Sequence, residues 1–303
     1  MSGKGRGKKR ATSSKKSSSA ASSKRKKPRK KKSTTQSKSP RFRALVDIVV
    51  PFYGELDLAR KAIACVPEAC GDIPYKLIVV DNGTPNEKGR ELFNELDEST
   101  VKHWLKQNQG YPGAVNAGVN RGSAPLIFIL TSDVVMEPGA IAEAVKEMDN
   151  PEVGVVGCKL IFPEGTPHGQ AHTTQHAGIC FNLAAKSFHI FLGWSKDHPK
   201  VNQRREMAAV TGAALMTRRN LWQKIGGFNT EYGGGTFEDL EYCFLIQALG
   251  KKVVYAPQVV GTHYVGGSIV QGAQKHGFAL SKNESIFNSR IMGAIAWDEW
   301  RYW

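Results

Sequence analysis

From Leu45 onward, short apolar runs alternate with stretches of helical period, and this alternation restricts the fold more than any other feature. Val46-Asp-Ile-Val-Val-Pro51, Tyr75-Lys-Leu-Ile-Val-Val-Asp81, Leu126–Leu130 and Val153–Leu160 read as strands, with a shorter one over Val101–Leu105. Between them, Leu56–Val66, Glu87–Leu96, Ala114–Val119 and Ile141–Met148 space their apolar residues three and four apart, as helices with one buried stripe do. Strands that are apolar throughout are covered on both faces. Strands separated by helices pair in parallel. The predicted class is therefore α/β, with a mostly parallel central sheet flanked by helices. In such sheets ligands bind beyond the carboxyl ends of the strands, where Asp81 and Asp133 fall. Further on, Gln175–Asn182 and Ala208–Thr217 read as strands, and Asn220–Ile225 as a helix closed by Gly226-Gly227.

The segment Gly235–Gly250 holds the densest candidate chemistry. Phe237, Leu240, Phe244, Leu245 and Ala248 recur at helical spacing, which puts Glu238, Asp239 and Glu241 in the first turn of a helix. The helix dipole stabilises each acid there by ~0.3–1 kcal/mol, and that alone accounts for their presence. Three other features point to chemistry. Gly233-Gly234-Gly235 can bend over a ligand, His263 follows the apolar run Val253–Tyr255, and Asp133 ends the run Leu126–Leu130. A carboxylate at a strand end, a carboxylate pair and a later histidine can together make a metal site with a base beside it. His168, His172 and His176 are four apart, which invites a zinc reading, but the Gly, Pro and Thr residues around them oppose a helix, so the spacing need not put them on one face. The glycine fingerprint of a dinucleotide fold and the phosphate loop are both absent. A nucleotide held here rests on side chains and a metal.

Charge divides the chain. Residues 1–43 carry 18 of its 42 Lys and Arg and none of its 27 Asp and Glu, leaving 24 basic against 27 acidic residues elsewhere. A segment of Lys, Arg, Ser and Thr has little to bury and is predicted to be disordered. Such a polycation binds DNA, RNA or another anionic surface with strong salt dependence. Ser2–Lys8 resembles the start of a histone tail, and Lys24–Lys32 resembles a nuclear localisation signal. No apolar stretch follows the basic residues as a secretory leader requires, and no run approaches the ~18 apolar residues of a membrane span. Five cysteines without paired spacing read as reduced thiols. The expected location is cytoplasmic, with a nuclear or nucleic-acid-associated one left open by the tail. The expected domains are a tail over 1–43, a catalytic domain over 44–270, and a C-terminal helical extension over 271–303 that contains Trp297, Trp300 and Trp303.

Six motifs, in order, resemble glycosyltransferase family 2, the rhamnosyltransferase-like inverting enzymes of the GT-A fold. Ile48-Val-Val-Pro-Phe-Tyr53 is similar to the family's first strand, and Val79-Val-Asp-Asn-Gly-Thr84 to its Val-Asp-Asn/Asp-x-Ser/Thr segment. Asn108–Gly118 resembles its Asn-x-Gly…Gly-x-x-x-Asn-x-Gly stretch. Leu130-Thr-Ser-Asp-Val-Val135 stands where the family has its Asp-x-Asp metal motif, but Thr131 replaces the first carboxylate. Val210–Arg218 with Ile225–Phe228 is similar to the acceptor-side strand and helix. Glu238-Asp239 and Thr262-His263 are similar to the Glu-Asp pair and the late metal histidine.

The resemblance implies a nucleotide-sugar donor, UDP- or dTDP-type favoured, and an acceptor glycan or lipid-linked sugar. It implies donor contacts from Pro51, Tyr53, Glu55, Asp81, Gly113, Asn116, Ser132 and Asp133. It also implies a divalent cation, Mn²⁺ or Mg²⁺, on Asp133 and His263. Asp239 is implied as the base that activates the acceptor hydroxyl, with Glu238 beside it binding the acceptor or raising the pKa of Asp239. Two sequence features keep other functions open. The tail could hold a glycosyltransferase on hydroxylated bases of DNA, or the chain could be a nucleic-acid-binding protein with a degenerate transferase domain. Carboxylates at strand ends also suit a nucleotidyltransferase, although the Glu-Asp and His pairing then has no role.

Overall fold

The computed structural model describes residues 44–265 and 280–303. In chain order its elements are β1 (Val46–Phe52), α1 (Leu56–Ala64), α2 (Val66–Cys70), β2 (Tyr75–Asp81), α3 (Lys88–Glu95), β3 (Val101–Trp104) and α4 (Gly110–Val119). Next come β4 (Leu126–Leu130), β5 (Val134–Met136), α5 (Ala140–Glu147), β6 (Val153–Ile161), β7 (Thr174–His176), β8 (Ile179–Phe181) and β9 (Ser187–His189). The chain continues through β10 (Arg205–Glu206), β11 (Ala214–Arg218), α6 (Arg219–Ile225), α7 (Glu238–Ala248), β12 (Lys252–His263) and α8 (Leu280–Ile291). The main sheet has the order β10-β12-β6-β11-β4-β1-β2-β3, with β5 also on β12 and β7 on β6.

Every residue of β1, β4 and β6 is buried, because helices cover the sheet on both sides. Alternate strand residues such as Val49, Val80 and Ile127 pack with α4, α6, α7 and α8. Ile48, Val50 and Val79 face the other way, onto α1, α2, α3 and α5. One charge interrupts β1. Asp47 is buried and accepts from the Ala124 amide at 2.8 Å and from Arg219 Nη2 at 2.6 Å. Arg219 also donates to the carbonyls of Ala124 and Val119. A buried carboxylate left alone would cost several kcal/mol, so this pair ties the start of the sheet to α6.

β1, β2, β3 and β4 are parallel, as are β6 and β12. The sheet as a whole is mixed, because β11 runs antiparallel to both β4 and β6. The chain enters β11 from the carboxyl end of β4, where Ala214 pairs with Leu130, after passing over that end of the sheet. Two second-half strands are shorter than the sequence suggests. Ala208–Ala213 stays out of β11 and passes beside the ligand end. The run Gln175–Asn182 divides at Gly178, whose φ of +108° suits glycine alone. Its first part joins β6, and its second pairs with β9 in a separate hairpin.

The C-terminal residues share the domain's core: Phe287 and Ile291 of α8, with Tyr302, pack on the α4 and α7 side. The expected tail over 1–43 and the expected boundary at 270/271 lie outside the described residues. All five cysteines are free. Among the described residues, no helix is long and apolar enough to cross a membrane.

Candidate active site

A cavity of about 400 Å³ opens at the carboxyl ends of β1 and β4. Pro51 and Tyr53 reach it from the end of β1, Ser132 and Asp133 from the turn after β4, Glu238 and Asp239 from the start of α7, and His263 from the end of β12. Four other residues expected at the donor do not line it. Glu55 precedes α1 as its N-cap. Asp81 is buried at the end of β2, where Oδ1 accepts the Thr84 amide at 2.8 Å and burial raises its pKa. The next residue, Asn82, lines the cavity instead. Gly113 sits in the first turns of α4, against the Gln109 side chain. Asn116 clamps the turn after α6, donating to the Phe228 carbonyl at 2.8 Å and accepting its amide at 3.0 Å. A larger concavity of about 1000 Å³ lies at the other ends of β1 and β2. The acid there, Asp47, is already paired with Arg219.

Strand register brings Asp133 and His263 together. β5 pairs antiparallel with β12 so that His263 is opposite Val134, and the Tyr264 amide donates to the Asp133 carbonyl at 2.8 Å. His263 Nε2 then stands 3.5 Å from Asp133 Oδ1. Its Nδ1 lies 3.3 Å from Gln175 Oε1. Nδ1–H can donate to that amide oxygen, which leaves the Nε2 lone pair to face a cation shared with the carboxylate. Ligands about 2.1 Å from a shared cation, at angles of roughly 90–110°, stand about 3.0–3.4 Å apart. The pair therefore fits a divalent cation with one imidazole and one carboxylate. Among the described residues there is no group of three such ligands. Thr131 brings no carboxylate there, and its hydroxyl donates to the Ala213 carbonyl at 3.2 Å.

The acids of α7 are buried, Glu238 at 4% and Asp239 at 8% exposure. Asp239 Oδ2 accepts the Gly212 amide at 2.7 Å, and Oδ1 the Leu240 amide at 2.9 Å. Burial raises its pKa and these N–H groups oppose the rise. Glu238 is driven well above the carboxylate range, first by burial and then by the charge of Asp239. Its Oε2 is buried with no partner among the described residues. Of the two, Glu238 is raised further and holds a proton the more tightly.

The approach to these acids is held in unusual backbone. Thr236 and Phe237 have φ of +76° and +71°, a region that costs ~1–3 kcal/mol for residues other than glycine and concentrates at functional sites. Asn283 of α8 holds this loop, donating to the carbonyls of Tyr232 at 2.9 Å and Gly235 at 2.7 Å. Gly110 also approaches it. Its φ is +74°, and a Cβ there would collide with the Gly233 carbonyl.

Tyr111, Gln175, His189 and the Thr211-Gly212 segment also line the cavity, although the motifs that contain Tyr111 and Thr211-Gly212 give these residues no individual role. The Tyr111 hydroxyl donates to the Gly212 carbonyl at 2.6 Å. Its pKa is raised by burial and then by Glu238, Asp239 and Asp133, which places it among the three acids. No local spacing marks these residues. The histidine triplet does not assemble either, since His168 and His172 are exposed and His176 is buried.

The chain belongs to glycosyl transferase family 2, whose model matches residues 47–225. It is 28% identical over 232 residues to the O-antigen biosynthesis protein RfbC of Myxococcus xanthus, covering 74% of this chain and 17% of that protein. An uncharacterized protein of Sinorhizobium fredii is 27% identical over 232 residues, 74% of this chain and 25% of its own. The chain thus spans a quarter or less of these two relatives. An uncharacterized glycosyltransferase of Mycobacterium tuberculosis is 22% identical over 230 residues, 74% of this chain and 91% of its own length. Among solved structures, the mannosyltransferase PcManGT of Pyrobaculum calidifontis, in complex with GDP-Man and Mn²⁺, superposes with a TM-score of 0.52 at 20% identity, over 74% of this chain and 58% of that one. GalNAc-T7, solved with UDP, GalNAc and Mn²⁺, gives 0.56 at 12% identity, over 74% and 44%. The fold is GT-A, and the domain is that of a glycosyltransferase.

Proposed function

We propose that this chain is an inverting, metal-dependent transferase that moves a sugar from a nucleotide-sugar donor to a hydroxyl of an acceptor glycan or lipid-linked sugar. The observation that carries the reading is the meeting of the Asp133–His263 pair and the Asp239 carboxylate in one cavity at the carboxyl ends of β1 and β4. Pro51, Tyr53 and Asn82 border the base and ribose. Asp133 and His263 hold Mn²⁺ or Mg²⁺, and their mixed donor set suits Mn²⁺ at least as well. Such a cation, when bound, supplies positive charge against the diphosphate leaving group.

Asp239 takes the proton of the acceptor hydroxyl as its oxygen attacks the anomeric carbon. The bond from that carbon to the diphosphate oxygen breaks, and its electrons leave with the nucleotide. The Gly212 and Leu240 amides keep the Asp239 carboxylate aimed and ionised. Glu238, holding its proton, donates to the acceptor. One base and one in-line displacement invert the anomeric centre. In this reading residues 44–270 are the catalytic domain, 1–43 a polybasic tail and 271–303 an extension. No observation among the described residues favours a nucleic-acid acceptor over a sugar.

The test is nucleotide release. The protein is incubated with UDP-, dTDP- and GDP-sugars and Mn²⁺ or Mg²⁺, and free nucleotide is measured with and without chelator. Release that stops with chelator is expected. No release from any donor, or undiminished release in excess chelator, refutes the reading.

A further inference from the structure

Beside the cavity lie two histidines to which the proposed function gives no role. His176 is fully buried, and its Nδ1 stands 3.0 Å from Nδ1 of His189. Nitrogens at that distance share one proton, because two N–H groups would collide and two lone pairs would repel. The far side of His176 decides which ring supplies it. The Thr211 amide, which can only donate, reaches His176 Nε2 at 3.3 Å. Nε2 therefore holds a lone pair, and the proton of a neutral His176 is on Nδ1. Burial pushes both rings well below the ordinary range, His189 to about 4, so neither is a cation at neutral pH.

His189 Nδ1 accordingly accepts, and its single proton sits on Nε2, on the ring edge turned away from His176. The Gln175 carbonyl lies 3.2 Å from His189 Nδ1, but a proton there would set two N–H groups against each other. The ring lines the cavity with Gln175, Thr211, Gly212, Asp239 and His263.

We propose that His189 selects the acceptor: its Nε2–H is a fixed donor to a hydroxyl oxygen of the acceptor sugar, locked in that tautomer by His176 and Thr211. The inference rests on the transferase reading and deepens it. Thr211 and Gly212 are consecutive. The first amide sets the tautomer, and the second holds Asp239 Oδ2 at 2.7 Å. One peptide segment thus fixes both the proton acceptor and a hydrogen-bond donor, so two oxygens of one sugar can be registered against a single frame. A neutral N–H suits a neutral polyol, whereas an imidazolium there would favour an anion.

Two measurements test this. In the intact protein with ¹⁵N-labelled histidine, imidazole NMR should show His176 protonated on Nδ1 and His189 on Nε2. Methyl glycosides of glucose, galactose, mannose and rhamnose are then titrated in as acceptor probes. At least one should shift the His189 Nε2 resonance. A His189 proton on Nδ1, or a panel that leaves the resonance unmoved, overturns the proposal with no variant needed. With a donor identified by nucleotide release, His189→Phe should raise the KM of the effective glycoside by ~10-fold, the worth of one neutral hydrogen bond. His189→Gln, which restores an N–H at a similar reach, should recover part of the loss. An unchanged acceptor KM in His189→Phe defeats this proposal alone. Absence of nucleotide release by the unmodified protein defeats the transferase reading and this proposal with it.

Discussion

Replacing Asp239 with Asn separates catalysis from stability, because the structure makes opposing demands at that side chain. In the native protein both carboxylate oxygens accept backbone amides, from Gly212 at 2.7 Å and Leu240 at 2.9 Å. Asn has one oxygen, so one of these amides faces an NH₂ group, and a bond to a charged acceptor worth ~1.5–3 kcal/mol is lost. Against this, burial and the neighbouring Glu238 disfavour the charge that Asn removes. The folded pKa of Asp239 is raised above its unfolded value near 3.9. The folded state therefore binds the proton more tightly, and stability falls as pH rises from the unfolded pKa through the folded one. Asn escapes that loss at pH 7. The two effects oppose each other, and at roughly 2–4 °C per kcal/mol the midpoint should fall by less than the ~3–12 °C that the lost bond alone would cost.

Turnover should behave differently. Without a proton acceptor it should fall by ~10²-fold or more, while donor affinity, assigned to other residues, stays near normal. The assay is turnover at saturating donor with water or a methyl glycoside as acceptor, beside a thermal midpoint, from pH 4 to 9. In the unmodified enzyme, activity should rise with pH through a pKa above the ordinary Asp value, and the variant should lose that limb. A stable Asp239→Asn protein with native turnover would refute the base assignment and leave these acids as helix-start residues.

Asp133→Ala should abolish metal-dependent donor binding, and His263→Ala should weaken it and change the preferred metal, both read by calorimetry with the donor. Unchanged binding by both variants would remove the cation from Asp133 and His263. Glu241→Gln should lower the thermal midpoint by ~5–10 °C at little loss of turnover per folded molecule, as breaking a buried charged network of a few kcal/mol requires. Its carboxylate accepts from the Tyr232 hydroxyl at 2.5 Å and Arg290 Nε at 3.0 Å, and an unshifted midpoint would contradict that role. Deleting residues 1–43 should leave nucleotide release intact and abolish salt-sensitive retention on heparin; an unchanged salt slope would place the polyanion site elsewhere.

The first half of the fold was legible because burial on both faces leaves a continuous apolar run. β1, β4 and β6 carry that mark, and the helices between them carry one apolar stripe. The stretch between β6 and β11 was hard to read for a physical reason. β7, β8 and β9 have three residues each, too few to show a period, and a glycine turns the chain between two sheets. Asp133, Glu238, Asp239 and His263 stood out as chemical types at the ends of recognisable elements. Tyr111 and His189 did not, because their roles come from partners far away in sequence. The Tyr111 hydroxyl meets Gly212, 101 residues on. Asp47 in β1 likewise depends on Arg219, 172 residues away. His176 is four residues from His172, yet its partner is the His189 ring on another strand. The place of Glu241 in the first turn of its helix does not reveal its partners Tyr232 and Arg290, which lie on either side of it in sequence.

The Asn283 clamp on the strained loop also orders events in time. Gly235 and Asn283 are 48 residues apart, and a ribosome adding ~5–20 residues per second needs roughly 2–10 s to make that span. During those seconds β1 to β11 and the Asp133 turn already exist as chain, α7 and β12 are being added, and the Gly233–Phe237 loop still lacks its bonds from Asn283. The nascent chain therefore has Asp133, Asp239 and His263 before it has the side chain that holds the loop beside them. The clamp arrives with α8, and a ribosome stalled before Asn283 would present the cavity's residues without it.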